Sequence, residues 1–178
     1  LPGAADSLLS DNALPCVTGR VCPQENQCEG VCLRAKKGNS VAIGHLERFV
    51  ADWAQAHPDE LIHTKPEPTG KNVAIVGSGP AGLTASGELV KRGHDVRIIS
   101  STHGPQRSSE GDIIRLGYGW SVPTNGSVGT LTVSHRYGDL VTEMLDRERF
   151  DVIHFHEPFV PFLSLQLLRH SKSVNIAT

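Results

Sequence analysis

The chain has 178 residues, and its 17 Lys and Arg residues against 19 Asp and Glu residues give a formal net charge of -2 at pH 7. A chain of this length can bury a sizeable core as one domain, or as one domain with a small appendage. The balanced charge, without a Lys/Arg cluster and interleaved aromatic residues, argues against a nucleic-acid partner. No apolar run reaches the roughly 18 residues of a membrane span. The first residues also lack the basic region and apolar core of a signal peptide, so we expect a cytoplasmic protein.

Residues 1–65 predict a small helical segment with two helices. Between them lies a loop that is rich in Gly, Pro, Gln and Asn and carries the cysteines. The second helix has the clearer signal, because apolar residues recur at helical spacing and Asn39 or Ser40 is a candidate cap. Those apolar residues are Leu46, Phe49, Val50 and Trp53. Residues 66–71 predict an extended linker, because prolines push the residues before them out of helical geometry.

A strand–helix–strand unit is predicted next. Residues 73–76 are a short apolar run, typical of a strand buried on both faces. A glycine-rich loop follows, and Pro80 stands at the first position of a helix, where its missing N–H costs nothing. We expect this helix to end at Gly93 and a second strand to cover residues 95–100. The helix has an apolar stripe of Ala81, Ala85, Leu89 and Val90.

The rest of the chain continues the alternation of strands and helices. Residues 111–116 indicate a strand, residues 117–129 are turn-rich with a strong turn signal at Asn125-Gly126, and residues 151–155 and 173–177 indicate further strands. One helical face combines Tyr137, Leu140, Val141, Met144 and Leu145, and residues 158–169 predict another helix. We therefore expect residues 72–178 to form a Rossmann-like α/β domain, a parallel sheet with helices on both faces.

The glycine loop is the chain's candidate phosphate site. Gly77 permits the tight turn, Gly79 lets the backbone approach a pyrophosphate, and Gly82 lets the helix pack closely on the strand. Phosphates would meet free N–H groups at the positive end of the helix. The candidate cofactor-binding residues are Gly77, Ser78, Gly79, Pro80, Ala81 and Gly82. A glycine turn that serves only packing is the alternative.

One residue that a dinucleotide site normally uses has no counterpart. An Asp or Glu at the end of the second strand usually holds a ribose hydroxyl. Ser100 and Ser101 occupy that place here, and Glu110 lies too far along the chain to substitute. The residues thus predict phosphate binding more strongly than tight binding of a whole dinucleotide.

All four cysteines lie between residues 16 and 32. Cys22, Cys28 and Cys32 are candidate metal ligands, because thiolates in a compact loop can hold an iron–sulfur cluster. Such a cluster usually takes four ligands, and Cys16 is the fourth by count. Zinc is a second reading, for which only Cys28 and Cys32 have the usual spacing. A disulfide or free thiols remain the third.

Residues 12–15, 18–25, 27–32, 41–49 and 73–82 together carry a first family resemblance. Residues 1–96 resemble the small (β) subunit of glutamate synthase and its NADPH-dependent relatives. In that family a helical domain holds two 4Fe-4S clusters and a Rossmann domain binds FAD.

The first resemblance implies that Cys22, Cys28 and Cys32 are cluster ligands, with the role of Cys16 open, and that the glycine loop holds the FAD pyrophosphate. The family's other cysteine group and its NADPH-binding domain have no counterpart here. We therefore expect an incomplete cluster ligand set and an incomplete FAD site. A redox partner subunit is also implied.

His154 and His156 share one strand face, and Glu157 follows where open α/β sheets place their ligand crevice. We expect these residues either to contact a substrate or to have a structural role. Metal binding is the weaker alternative. Residues 93–100, 122–128 and 150–158 resemble the N-terminal domain of family 4 glycosyltransferases, of the phosphatidylinositol mannosyltransferase type. By this resemblance His156 and Glu157 are acceptor-side candidates, and peripheral membrane contact is implied.

The two resemblances meet at residues 93–98, which predicts a hybrid chain. Our first functional hypothesis is a fragment of an NAD(P)H-dependent FAD and iron–sulfur oxidoreductase, incomplete for catalysis. The second is the acceptor-domain half of a glycosyltransferase that moves a sugar from a nucleotide donor. An inactive chimeric chain is the third.

Overall fold

The computed structural model describes residues 1–61, 66–102, 111–124, 127–132, 138–159 and 162–178. The chain divides into two compact units, residues 1–64 and residues 65–178. Within the described residues, no helix is both long and apolar enough to cross a membrane.

The first unit contains three α-helices where the sequence predicts two. These are α1 (Pro2–Asp11), α2 (Pro15–Val21) and α3 (Ile43–Ala56). Single 3-10 turns cover Gln24–Asn26, Leu33–Lys36 and Pro58–Glu60. A proline begins both α1 and α2, in keeping with its preference for the first turn. Both helices pack against α3.

Helix α3 buries small residues most completely, and the predicted apolar stripe is right only in part, because Val50 and Trp53 are half-buried. Leu46 and Phe49 are 55% and 56% exposed, whereas Gly44, Ala51 and Ala54 are buried. Small side chains let neighbouring helices approach closely, so the contact face follows them. The predicted cap is also wrong, because Ala42 precedes the helix in place of Asn39 or Ser40.

Polar contacts tie α3 to the other two helices. Asn12 donates through Nδ2 to Glu47 Oε1 at 2.8 Å, and Thr18 donates to the same oxygen. Arg20 donates through Nη2 to both carboxylate oxygens of Asp52, at 2.6 and 2.9 Å. The unit therefore relies on side-chain bonds as well as on a small apolar interior.

The second unit is built on one six-stranded sheet in the order β4-β3-β2-β1-β5-β6. The strands are β1 (Asn72–Val76), β2 (Asp95–Thr102), β3 (Ile113–Thr124), β4 (Ser127–Thr132), β5 (Val152–Phe155) and β6 (Val174–Ala177). All neighbours are parallel except β3 and β4, which are antiparallel. The predicted α/β class with a parallel sheet is confirmed.

Helices cover both faces of this sheet. They are α4 (Pro80–Lys91), α5 (Gly138–Glu148) and α6 (Leu163–His170). One core cluster combines sheet residues with Val141, Met144 and Leu167 of α5 and α6. A second cluster joins the other face of β1 to Ala85 and Leu89 of α4. Strand β1 is buried on both sides, as the apolar run predicts.

Helix α4 begins at Pro80 and is followed by Gly93 at φ +83°. Both ends therefore agree with the sequence. The predicted stripe is right only in part, because Ala85 and Leu89 face the core while Ala81 and Val90 are exposed.

The region after β2 differs most from expectation. The predicted turn-rich stretch is instead the second half of β3 and the start of β4, which pair from Gly119 with Thr132 to Thr124 with Ser127. The predicted turn at Asn125-Gly126 lies outside the described residues.

The two C-terminal helices differ from the sequence prediction in smaller details. Helix α6 begins at Leu163, later than the predicted residue 158. In α5, Val141 and Met144 are buried and Leu145 packs against the same core, whereas Leu140 is 49% exposed. Tyr137, assigned to the same face, lies outside the described residues.

The segment before β1 is bonded to the turn between α4 and β2. The N–H of Thr69 donates to the carbonyl oxygen of Gly93 at 2.9 Å, and the N–H of Asp95 donates to that of Lys71, also at 2.9 Å. A Cβ on Gly93 would overlap the carbonyl oxygen of Glu67. The main chain of this segment is held against the turn, and Gly70 within it has φ +67°.

Candidate functional site

A cleft of about 370 Å³ lies at the carboxyl ends of β1, β2 and β5. This is the edge at which open α/β sheets bind ligands. Its polar side chains and glycines are Gly77, Ser78, Gly79, Ser100, Ser101, His156, Glu157 and Ser164. The glycine loop, the β2 serines and the His156–Glu157 pair, which the sequence suggested separately, thus line one cleft.

A different feature of the local structure explains each glycine of the loop. Gly77 has φ +120°, a backbone conformation that residues other than glycine rarely adopt. A Cβ on Gly82 would overlap the carbonyl oxygen of Gly77, so α4 approaches the end of β1 too closely for alanine. Gly79 has no neighbouring atom within 4 Å of its would-be Cβ, and its backbone therefore faces open space.

Free donors lie at the start of α4. The first helical bond recorded there is from the N–H of Leu83 to the carbonyl oxygen of Gly79, at 3.0 Å. The N–H groups of Ala81 and Gly82, the two residues before Leu83, have no carbonyl within the helix to bond. They are available to an anion at the positive end of the helix dipole.

The ribose side of the cleft has no carboxylate among the described residues that line it. Ser100 lies two residues before the end of β2, and its hydroxyl lies 2.8 Å from the hydroxyl of Ser78. This contact ties β2 to the glycine loop and was not predicted. Glu110, which the sequence places too far along the chain to hold the ribose, lies outside the described residues. Hydroxyls can bond a ribose, although without the charge of a carboxylate.

His154 and His156 form a pair beside the loop. Their ring centroids are 4.4 Å apart, which confirms that they share one strand face. Thr178 Oγ1 lies 3.3 Å from His154 Nε2 and 3.3 Å from His156 Nδ1. His156 Nε2 is buried and has no hydrogen-bond partner in the protein. Burial and, second, the charge of His154 lower the pKa of His156, so its ring is neutral at pH 7.

Glu157 brings the cleft's negative charge. Its backbone is left-handed, with φ +61°, which is rare for a residue with a side chain. Its N–H donates to the carbonyl oxygen of Thr178 at 3.1 Å. Its side chain is exposed at the cleft. A carboxylate there opposes a bound anion and favours a hydroxyl or a cation.

The four cysteines are all in the reduced, unbonded state. Cys28 is exposed, and Cys16, Cys22 and Cys32 are partly buried. Among the described residues, no three His, Cys, Asp or Glu side chains stand close enough together to hold a metal ion.

Cys32 nonetheless has a distinctive environment. Backbone N–H groups, first that of Val41 and then that of Arg34, lower the pKa of its thiol. Hydrogen bonds of this kind favour the thiolate, which is the form that binds metals and reacts with electrophiles.

Two family models match separate parts of the chain. The model described as dihydropyrimidine dehydrogenase domain II, 4Fe-4S cluster, matches residues 1–58. The model described as Glycosyltransferase Family 4 matches residues 83–178. The ranges do not overlap, and residues 77–82 of the glycine loop lie between them. Both resemblances seen in the sequence are thereby confirmed.

Curated relatives match the chain in part. The NAD-dependent dihydropyrimidine dehydrogenase subunit PreT of Escherichia coli (strain K12) is 43% identical over 103 residues, 58% of this chain and 25% of that protein. The glutamate synthase (NADPH) small chain of the same strain is 41% identical over 90 residues, 51% of this chain and 19% of that protein. The corresponding small chain of Halomonas elongata is 42% identical over 90 residues, again 51% and 19%. The chain thus spans a quarter or less of these relatives.

Proposed function

The chain belongs to glycosyltransferase family 4 through residues 83–178, while residues 1–58 match an iron–sulfur domain, and from this premise we propose a hybrid chain whose α/β unit binds the phosphates of a nucleotide ligand. The oxidoreductase relatives make FAD the preferred ligand. The whole chain is then a fragment of an NAD(P)H-dependent FAD and iron–sulfur oxidoreductase of the glutamate synthase small-subunit type, incomplete for catalysis.

The glycine loop at the cleft is the observation that supports phosphate binding best. Gly79 is open toward the cleft, and the N–H groups of Ala81 and Gly82 have no helical partner. Phosphate oxygens would accept from these donors at the positive end of α4. A packing turn explains Gly82 but leaves the open backbone at Gly79 unexplained.

The loop fits the pyrophosphate of FAD, and the Ser78 and Ser100 hydroxyls are the groups placed to meet a ribose. When bound, FAD supplies hydride and single-electron chemistry, which the protein positions and tunes. The protein's own part is to hold the phosphates. Without a carboxylate at the end of β2, we expect weaker nucleotide binding than in an intact flavoprotein.

We propose that the chain lacks a complete redox centre of its own. The thiols of Cys22, Cys28 and Cys32 are not gathered into a ligand set. The relatives named as subunits suggest that a partner subunit supplies redox function where one is needed. A cytoplasmic location accords with this proposal.

Titration calorimetry of the full chain with ADP-ribose and with FAD tests the phosphate site. Gly79→Ala should weaken both at least tenfold, because a methyl group would stand where the phosphate approaches the backbone. Gly3→Ala in α1 is the matched control, since its Cβ also meets nothing within 4 Å. Equal affinities for the parent and Gly79→Ala, or no binding by the parent, would overturn the proposal.

A second candidate function is the acceptor half of a glycosyltransferase that uses a nucleotide-sugar donor. His156 and Glu157 favour it, because they lie at the same cleft and come from the segment that matches that family. Glu157 is exposed and fits an acceptor hydroxyl better than a phosphate.

Inositol 1-phosphate is the probe for this second function. Weaker binding by Glu157→Gln, with ADP-ribose affinity unchanged or higher, would support an acceptor site, and a loss of both ligands would count against it. Phosphatidylinositol-containing vesicles would report the peripheral membrane contact that this function implies. If the chain retains none of these ligands, the inactive chimera is the remaining interpretation.

A further inference from the structure

We infer that His156 completes the phosphate site of the glycine loop by donating its Nε2–H to a phosphoryl oxygen, with Thr178 and His154 holding the ring in the required tautomer. The inference rests on the phosphate binding proposed above. It assigns a composite site, in which the loop lies outside the glycosyltransferase match and the histidine lies inside it.

Strand pairing places His156 directly beside the loop. Val76 of β1 is in register with Phe155 of β5, so the next residues, Gly77 and His156, are neighbours. The N–H of His156 donates to the carbonyl oxygen of Val76 at 3.0 Å. A Cβ on Gly77 would stand 3.3 Å from the Cβ of His156. The missing side chain at position 77 therefore leaves room for the imidazole.

Thr178 occupies the opposite side of His156. Phe155 of β5 is in register with Ala177 of β6, so Thr178 follows next to His156. Its hydroxyl lies 3.3 Å from Nδ1 of the ring, which leaves Nε2 as the nitrogen that Thr178 does not contact. That nitrogen is the buried atom without a partner.

One hydroxyl proton decides the tautomer. Thr178 Oγ1 lies 3.3 Å from both His154 Nε2 and His156 Nδ1 and can donate to only one of them. When it accepts from His154 and donates to His156, the proton of His156 resides on Nε2. A buried N–H without an acceptor costs about 1–3 kcal/mol. A phosphoryl oxygen on the loop would supply that acceptor.

The charges around the ring favour a neutral donor. The titratable side chains that line the cleft in the described residues are His156 and Glu157, with His154 beside His156 and Arg115 reaching the carbonyl oxygen of Ser101. The loop, β2 and α6 contribute hydroxyls and backbone groups to the lining. Burial keeps His156 uncharged near pH 7, and a neutral imidazole still offers one N–H. Glu157 opposes the bound phosphate.

Calorimetric titration of ADP-ribose into the full chain tests the assignment. We expect His156→Ala to weaken binding about tenfold, the loss of one hydrogen bond to a charged group. Glu157→Gln should strengthen binding severalfold. His45→Gln is the control, because His45 is an exposed histidine on α3, and it should match the parent.

A spectroscopic readout on the parent chain avoids any folding defect of the variants. Nitrogen-15 spectra of the imidazoles should show His156 protonated at Nε2, with that resonance moving when ADP-ribose is added. A parent that binds while His156→Ala binds equally well, or a ligand-bound ring protonated at Nδ1, overturns the role of His156 alone. A parent that binds no ADP-ribose overturns the phosphate site itself.

Discussion

Replacing Gly82 by alanine should loosen the α/β unit at the start of α4. The added Cβ would stand 3.0 Å from the carbonyl carbon of Gly77 and overlap its oxygen, with the Ile75 side chain 3.4 Å away. The obstacle is backbone, which cannot rotate aside as a flexible side chain does. The helix must therefore move off the strand by about half an ångström or more, since ordinary carbon contacts begin near 3.5 Å.

The expected cost follows from two opposing effects. Overpacking of this kind costs about 1–3 kcal/mol, and the rigid obstacle places Gly82→Ala at the upper end. Alanine is also a better helix former than glycine, which returns about 1 kcal/mol. We therefore expect a net loss of about 2 kcal/mol in the free energy of unfolding of this unit.

Native-state hydrogen exchange at Val73 to Val76 measures that loss, because the amides of β1 lie in the buried centre of the sheet and exchange only when it opens. Gly79→Ala is the matched control, with no atom within 4 Å of its would-be Cβ. The reasoning is refuted if Gly82→Ala is as stable as Gly79→Ala.

Three further changes separate stability from binding. Gly79→Ala should lower the free energy of unfolding by less than about 1 kcal/mol while weakening ADP-ribose binding at least tenfold, as urea unfolding and calorimetry would show. Gly93→Ala should cost about 1–3 kcal/mol, because φ is +83° and the Cβ would overlap the Glu67 carbonyl; urea unfolding that leaves it equal to the parent would contradict this. The N–H of Asn72 holds the pKa of Asp151 below its usual value, so this carboxylate stabilises the fold above the unfolded-state pKa and ceases to do so as pH falls through the lowered value. Asp151→Asn should therefore destabilise the protein at pH 7, and its difference from the parent should shrink in urea unfolding near pH 3.

The strand–loop–helix around β1 was predictable because its signals are local. A continuous apolar run, a proline at the first helical position and Gly93 at the end each restrict the backbone within a few residues. The structure follows all three. Packing faces were less predictable, since the choice between them depends on the partner. In α3 the apolar stripe around Leu46 competes with a stripe of small residues around Ala51, and close helix contact favours the latter.

Long-range pairing explains the other differences. The glycines of β3 suggest turns when the sequence is considered alone, yet antiparallel pairing with β4 holds them extended. At the cleft, each candidate residue was identifiable by type and by its place at a strand end. The bonds from Thr178 to His154 and His156, and from Ser78 to Ser100, join positions 22 or 24 residues apart. Only the strand register brings such residues together.

The turn at Gly93 has a consequence for how the two sequences came to be joined. The bonds from Thr69 to Gly93 and from Asp95 to Lys71 connect main-chain atoms alone. They form with almost any side chains around them, provided that a glycine remains at position 93. A crossover between genes at this turn would therefore keep the first two strands and their helix in place, and we expect the same seam to tolerate deliberate exchange of strand–helix units between other Rossmann-like proteins.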